Sequence, residues 1–453
     1  MNNSIFREYD IRGIVDTDFA DDVVINLGRA YGSFLRNNNQ NNISVSGDIR
    51  YSTNNLKKNL VEGLLSTGIN VFDMGVLPTP VNYFSLFHTD IPNSVQITGS
   101  HNPKEYNGFK LSFNKKPFFG KDILLLKETM INKLFFKSLE KGNYKKIDIL
   151  EDYTKMIKNN ITINKEINCV IDCGNSVGGL VVPNLYKELG INVKELYCDI
   201  NPDFPNHHPD PTVDSNLDKI RTEINGKYDL GLAFDGDVDR VVAIDDKSNI
   251  IRADILMGIF VKDLIKKNDT VVYDVKCSRS LEEVIKKQLA KPIMYKTGHS
   301  LIKNKMIETK SKFGGEMSGH IFFADKYYGY DDGIYVGLRL IELLADSSRK
   351  LSEYLEDMTI YPSTPEIRID CKDDKHKFEI VKELISYFSN KYECNLIDGV
   401  RIEFDYGWGL IRASNTQPVI VCRFEANTEE KLFEIKSLIF NQINAIGGFS
   451  IEF

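Results

Sequence analysis

The strongest constraint on this chain is a strand–turn–helix–strand pattern that occurs three times. Apolar strand, polar turn, amphipathic helix, helix-ending break and second apolar strand run from Ile43 to Asp73, from Asn168 to Tyr197 and from Thr270 to Tyr295. In the first copy Leu56, Leu60, Val61, Leu64 and Leu65 fall on one helical face. Gly68 then suits the left-handed residue that ends a helix. Gly190 takes that place in the second copy, and Pro292 is the expected break in the third. Copies about 100 residues apart predict three related α/β domains with mixed sheets.

The C-terminal part has another plan. A strand at Glu366–Asp370 and a helix over Lys377–Phe388 precede three short strands, near Val400–Phe404, Trp408–Ala413 and Val419–Glu425. A last helix starts at Asn427, with Glu430 three residues on as a capping box. Strands clustered between helices predict a smaller α+β domain, with Tyr361–Pro365 as the linker into it. The expected division is 1–146, 147–250, 251–362 and 363–453. The polar run Asn37–Asn42 reads as a solvated loop.

Charge narrows the partners. The net charge of −7 offers no global field for nucleic acid. Any anion must therefore be held by a local cluster of Arg, Lys and backbone amides. No stretch nears the roughly 18 unbroken apolar residues of a membrane span, and no basic segment with an apolar core opens the chain. Seven cysteines without a C-x-x-C pair suggest reduced, buried thiols and a cytoplasmic protein.

Four short segments could carry chemistry. Thr98-Gly-Ser100-His101-Asn-Pro103 follows an apolar strand, so the Ser100 hydroxyl can stand exposed at a strand end; an ordinary Asx/Pro turn satisfies the same string. Asp235-Gly-Asp237-Val-Asp239-Arg240 crowds three carboxylates between strand-like flanks, which is unfavourable unless a cation neutralises them; a solvated acidic turn is the other reading. Hard oxygen ligands favour Mg²⁺ or Ca²⁺ over zinc. Arg240 stands where an EF-hand needs glycine, which disfavours that site. Gly314-Gly-Glu316-Met-Ser318-Gly-His320 lets short polar side chains approach a polyhydroxyl ligand, although a surface loop would look alike. Arg412-Ala-Ser414-Asn415-Thr416-Gln-Pro offers donors for a phosphate or forms a plain turn; Trp408 between two glycines reads as packing.

Together with Phe6-Arg-Glu-Tyr-Asp-Ile-Arg-Gly13, these segments stand in the order of the α-D-phosphohexomutase family, and the chain resembles its bacterial phosphomannomutase/phosphoglucomutase branch. His207-His-Pro-Asp-Pro, Lys296-Thr-Gly-His-Ser, Tyr330-Asp-Asp-Gly-Ile-Tyr and Gly407-Trp-Gly-Leu-Ile-Arg-Ala-Ser-Asn-Thr extend the likeness over essentially the whole chain. Val238 stands where glycine is common in the metal loop, and Gln417 where glutamate is common in the clamp.

The resemblance implies four domains around a central cleft and interconversion of hexose 1- and 6-phosphates. Ser100 would carry the phosphoryl group, and Asp235, Asp237, Asp239 and a phosphoryl oxygen on Ser100 would hold Mg²⁺. Arg240 would neutralise transferring charge, with His101 and Lys110 for proton handling and charge stabilisation. Glu316 and Ser318 would hold sugar hydroxyls, with His320 in the same loop; Arg412, Ser414, Asn415 and Thr416 would hold the existing phosphate; Tyr9, Arg12, Lys276, Lys296 and His299 would line the cleft. A hexose 1,6-bisphosphate would serve as intermediate and activator, and the protein would be a monomer or weak dimer. A metal-dependent phosphatase and a non-catalytic sugar-phosphate sensor are the other readings.

Overall fold

A computed structural model describes residues 2–414 and 418–451. Asn415, Thr416 and Gln417 of the expected clamp lie outside the described residues.

The three repeats become three sheets with one wiring. In the first, Asn42–Gly47 pairs in parallel with Asn70–Val76 on one side and Ser94–Ile97 on the other, and Ser94–Ile97 turns back antiparallel to Tyr106–Phe113. In the second, Asn168–Asp172 lies between Asn192–Leu196 and Leu230–Phe234, which returns as Val241–Asp245. In the third, Thr270–Asp274 lies between Lys291–Tyr295 and Phe313–Gly315, which returns as Ile321–Phe323. Each crossover from the first to the second parallel strand carries the expected helix: Thr53–Ser66, Val182–Glu188 and Arg279–Lys287.

This wiring has a functional consequence. The connection from the third parallel strand to its antiparallel return holds Ser100 in the first sheet, Asp235–Arg240 in the second and Glu316–His320 in the third. Three motifs with no shared residues thus occupy one equivalent hairpin. They lie beyond the carboxyl ends of parallel strands, where α/β sheets bind ligands.

Gly68 and Gly190 end their helices at φ +79° and +83°. The expectation for the third copy was wrong. Leu289 takes the left-handed position, at φ +57°, while Pro292 lies inside the edge strand, opposite Val271. An edge strand tolerates a residue that has no N–H to donate.

The fourth sheet is wholly antiparallel, in the order Ile367–Asp370, Val419–Ala426, Gly407–Ala413, Val400–Phe404, Glu393–Asn395. The last of these strands was not anticipated. Helices Asp374–Ser389 and Glu429–Gly447 pack on the sheet. The final helix is capped by Thr428, not Asn427, because the Thr428 hydroxyl accepts from the Lys431 N–H.

One apolar core runs through the second and third sheets and takes in Val81 and Phe84 of the first domain's helix Thr79–His88. The rest of the first domain has its own core, around Leu60, Val95 and Phe109. The fourth domain is locked to the third by buried donors. Arg401 donates to the carbonyls of Val275 and Cys277, and Arg423 to that of Lys276 and to Asp254. The Arg401 guanidinium stacks 3.8 Å from the Trp408 ring centroid, so that ring is packing, as its glycine neighbours suggested. The linker is tied down as well: Thr364 N–H donates to Phe424 O, and Pro362 O accepts from Ala426 N–H.

All seven cysteines are free; Cys169, Cys173, Cys277 and Cys422 are buried, whereas Cys198, Cys371 and Cys394 are partly exposed, against the expectation of uniformly buried thiols. Among the described residues no helix is long and apolar enough to cross a membrane.

Candidate active site

Ser100 is held in a left-handed conformation, φ +48°, by a buried cation that the sequence reading missed. The Arg50 guanidinium donates to four backbone carbonyls of this loop, those of Ser100, Asn102, Pro103 and Tyr106, and is itself paired with Asp48. One planar five-donor head thus sets the shape of the whole turn, which an ammonium could not do.

The loop meets the acidic hairpin of the second sheet closely. A Cβ on Gly236 would come 2.2 Å from Ser100 O, so only glycine fits there. Across this contact the Ser100 hydroxyl donates to Asp235 Oδ2 at 2.8 Å and lies 3.2 Å from His101 Nδ1. His208 of the second domain donates to the His101 carbonyl. Thr79, at the start of its helix, donates its hydroxyl to Asp237 and its N–H to Asp237 O.

Asp235, Asp237 and Asp239 are fully buried, each with a carboxylate oxygen within 4.8 Å of the others. Lys110 reaches Asp237 at 2.7 Å and Asp239 at 2.5 Å. Arg240 Nε stands 4.0 Å from Asp235. These two cations leave the cluster incompletely served, because buried Asp237 Oδ1 and Asp239 Oδ1 have no hydrogen-bond partner among the described residues. Orphaned carboxylate oxygens converging in a dry site fit a hard divalent cation. Burial, then the neighbouring Asp237 and Asp239, push Asp235 well above the usual carboxylate range. Burial pushes Asp237 the same way, yet the Lys110 ammonium and its hydrogen bond hold Asp237 below that range. Burial alone would lower Lys110; Asp237 and Asp239 outweigh it and keep the ammonium charged.

The third hairpin supplies Glu316, buried, whose carboxylate accepts from Gly298 N–H and from the Ser318 hydroxyl. Burial, then nearby Asp274, raise its pKa. His320 Nε2 accepts from Arg240 Nε at 2.9 Å, so the neutral ring carries its proton on Nδ1, 2.9 Å from Asp331. Asp331, in the Tyr330-Asp-Asp motif, also stands 3.4 Å from His299 Nδ1 and is paired with Lys303. Burial lowers the pKa of His299 and His320, and burial with Arg240 lowers that of His101 well below its usual range. Burial thus biases all three toward the neutral imidazole, against the pull of Asp331 on His299 and His320.

Of the remaining expected residues, Tyr9 meets the loop Lys296–His299 directly and Arg412 reaches it through Asp398. Tyr9 donates to Thr297 O at 2.5 Å, and its ring packs so tightly on Gly298 that a Cβ there would come 2.4 Å from the phenol. Thr297 N–H donates to Asp398, which also accepts from Arg412 Nε at 2.9 Å. Asp398, absent from the sequence reading, thus ties the clamp arginine to the third domain. Ser414 is buried and closes the strand pair through its N–H to Val419 O. Arg12 is paired with Asp10, while its buried Nε has no hydrogen-bond partner among the described residues. Lys276 is buried between Glu366, at 2.6 Å, and Asp274, at 3.7 Å, and Lys296 is exposed at its strand end.

The chain matches four families described as phosphoglucomutase/phosphomannomutase alpha/beta/alpha domains I, II and III and the C-terminal domain, over residues 3–135, 151–248, 252–361 and 366–442. It belongs to the phosphoglucomutase/phosphomannomutase family. A phosphomannomutase/phosphoglucomutase of Pseudomonas aeruginosa is 41% identical over 448 residues, 98% of this chain and 96% of that protein. A phosphoglucomutase of Neisseria gonorrhoeae is 39% identical over 442 residues, covering 96% of each. A crystal structure of a family protein from Burkholderia thailandensis superposes with a TM-score of 0.92 at 35% identity, over 100% of this chain and 99% of that one. The chain is thus an enzyme of the phosphohexomutase, or isomerase, class, with an acidic metal-binding site.

Within this phosphohexomutase, Val238 stands between Asp237 and Asp239 in the acidic hairpin. It is buried at φ +68°, a region that costs a β-branched residue about 1–2 kcal/mol. Its side chain fills space beside Gly178, and its carbonyl accepts from Gly333 N–H. Val238→Ala keeps the strain and loses packing, whereas Val238→Gly loses packing and relieves the strain. Urea unfolding should rank glycine above alanine by about 1 kcal/mol; the reverse order would show that this loop carries no strain.

Proposed function

We propose that the enzyme interconverts the 1- and 6-phosphates of mannose, glucose or both, through a phosphorylated Ser100 and a hexose 1,6-bisphosphate. The observation that carries this reading is the Ser100 hydroxyl on Asp235, at the mouth of a buried triad with two orphaned carboxylate oxygens. Asp235, Asp237, Asp239 and a phosphoryl oxygen on Ser100 would hold Mg²⁺, which supplies neutralising charge to the transferring group when bound.

The chain's own residues do the rest. The sugar's free hydroxyl attacks the phosphorus on Ser100, the bond to Ser100 Oγ breaks, the hydroxyl's proton ends on the departing Oγ, and the bisphosphate forms. After turning end over end, the bisphosphate returns its other phosphoryl group to Ser100 and leaves as the isomeric monophosphate. Lys110 and Arg240 stabilise the charge on the transferring oxygens. His101, neutral and 3.2 Å from Ser100 Oγ, is placed to handle that oxygen's proton. Glu316 and Ser318 orient sugar hydroxyls, and Arg412 with Ser414, Asn415 and Thr416 holds the phosphate that is not reacting. Tyr9, Arg12, Lys276, Lys296 and His299 line the cleft, with the Lys276 charge balanced by Glu366. Hexose phosphates are the partners of this site, and the 1,6-bisphosphate primes the serine.

Supplying mannose 1-phosphate or glucose 1-phosphate with catalytic glucose 1,6-bisphosphate should yield the 6-phosphate without inorganic phosphate. Phosphate released in step with loss of the 1-phosphate would make the enzyme a phosphatase and overturn the reading.

A further inference from the structure

The first and third domains line a cavity of about 450 Å³ that backs onto the active site, since its Lys303 pairs with Asp331, the partner of His299 and His320. One wall is the hairpin turn Ser112–Pro117, and the other is the second half of the helix His299–Thr309 with the segment 324–330. Its size is that of a small-molecule site. None of its lining residues is acidic and five are lysines, in a chain whose net charge is −7. Like charges gathered against the overall sign of a protein raise the local potential for an anion.

Two of the lysines are neutralised: Lys303 by Asp331 at 2.8 Å and Lys312 by Asp269 at 3.1 Å. Lys115, Lys116 and Lys310 are exposed and have no ion-pair partner among the described residues. Asn114 and Lys115 both adopt positive φ, +48° and +63°, the turn that joins the two paired strands and carries Lys115 and Lys116 at the cavity's edge.

The apolar side is aromatic. Phe87 stacks on Tyr328 with centroids 4.9 Å apart, and Tyr330 continues the layer 5.9 Å from Phe87. Lys115 Nζ stands 5.8 Å from the Phe87 centroid. An aromatic wall with three uncommitted ammonium groups matches a planar ring joined to a phosphate.

We propose that this cavity binds a nucleoside phosphate, its base against the Phe87–Tyr328 wall and its phosphates on Lys115, Lys116 and Lys310. None of these contact residues belongs to the proposed hexose phosphate contacts, and occupancy of the cavity does not depend on the phosphoserine route. Calorimetric titration of the full chain with ADP, in the presence and absence of saturating glucose 1,6-bisphosphate, tests it. The expected result is one saturable site that the bisphosphate leaves unchanged. The double variant Lys116→Glu/Lys310→Glu should bind ADP at least about tenfold more weakly, with an unchanged unfolding midpoint and unchanged bisphosphate affinity. Absence of saturable heat, displacement of ADP by the bisphosphate, or undiminished binding in the double variant would overturn the proposal. Inorganic pyrophosphate binding as tightly as ADP would overturn it too, by showing that the aromatic wall takes no part.

Discussion

Ser100→Ala is expected to lower turnover by about four orders of magnitude or more while the three aspartates still take up Mg²⁺, without the phosphoryl ligand. The alanine keeps the strained φ of +48°, so the loop held by Arg50 is not freed, as it would be by glycine. What disappears is one oxygen. A second hydroxyl, that of Thr79, also sits on the triad, but its bond goes to Asp237, and its helix starts against the acidic loop. A Thr79→Val variant is therefore the control: it should retain far more activity than Ser100→Ala. The checks are steady-state conversion of the 1-phosphate, intact mass after incubation with glucose 1,6-bisphosphate, and the Mg²⁺-dependent rise in unfolding temperature. Wild-type turnover by Ser100→Ala, or a phosphoryl adduct on the alanine variant and not on the serine enzyme, would refute the assignment.

Asp237→Asn should be the next most damaging change, costing about two to three orders of magnitude in kcat/KM, as expected for several kcal/mol of lost charge stabilisation. Its effect on stability is separable from its effect on rate. A ligand present at 100 times its Kd stabilises a protein by about 2.7 kcal/mol; a hundredfold weaker Kd leaves only about 0.4 kcal/mol at the same concentration. Unfolding temperature measured with and without Mg²⁺ should thus shift clearly for the wild type and scarcely for the variant. The variant should also be the less stable of the two without Mg²⁺, since Lys110 loses one of its two carboxylate partners in a buried site. An Asp237→Asn protein that responds to Mg²⁺ like the wild type would remove Asp237 from the ligand set.

The parts of this fold that could be read in advance are those set by neighbours in the chain. Leu56, Leu60 and Leu64 recur at helical spacing, and Gly68 and Gly190 end helices because they alone accept a positive φ cheaply. Where that rule was replaced by a weaker one, the reading failed. Pro292 looked like a break, but proline is also tolerated on an edge strand, and whether a strand is at the edge depends on residues far away. The site divides in the same way. Ser100, the three acids and Glu316 stand in short strings whose composition carries their chemistry. Arg50, Thr79 and Asp398 do not, since each is defined by its partner: Thr79 and Asp237 lie 158 positions apart. Asp331 stood in the Tyr330-Asp-Asp string without its role being legible there, and Arg50 left a signal as a charged Asp48-Ile-Arg50 string directly after a strand.

Local periodicity and motif spacing thus settled that this chain makes three kindred α/β units and a fourth of another kind, with a serine, an acidic triad and a glycine-bracketed glutamate to employ. They could not say that these motifs occupy the same hairpin of three sheets, nor that the hairpins face one another. Ser100 and Asp235 are 135 residues apart, and their hydrogen bond exists because the Thr79–His88 helix is sunk into the core shared by the second and third sheets while Gly236 lets the two loops touch. Apolar burial is non-directional and long-range in sequence. It is the packing of whole units, not any string of residues, that brings the hairpins of the three sheets together.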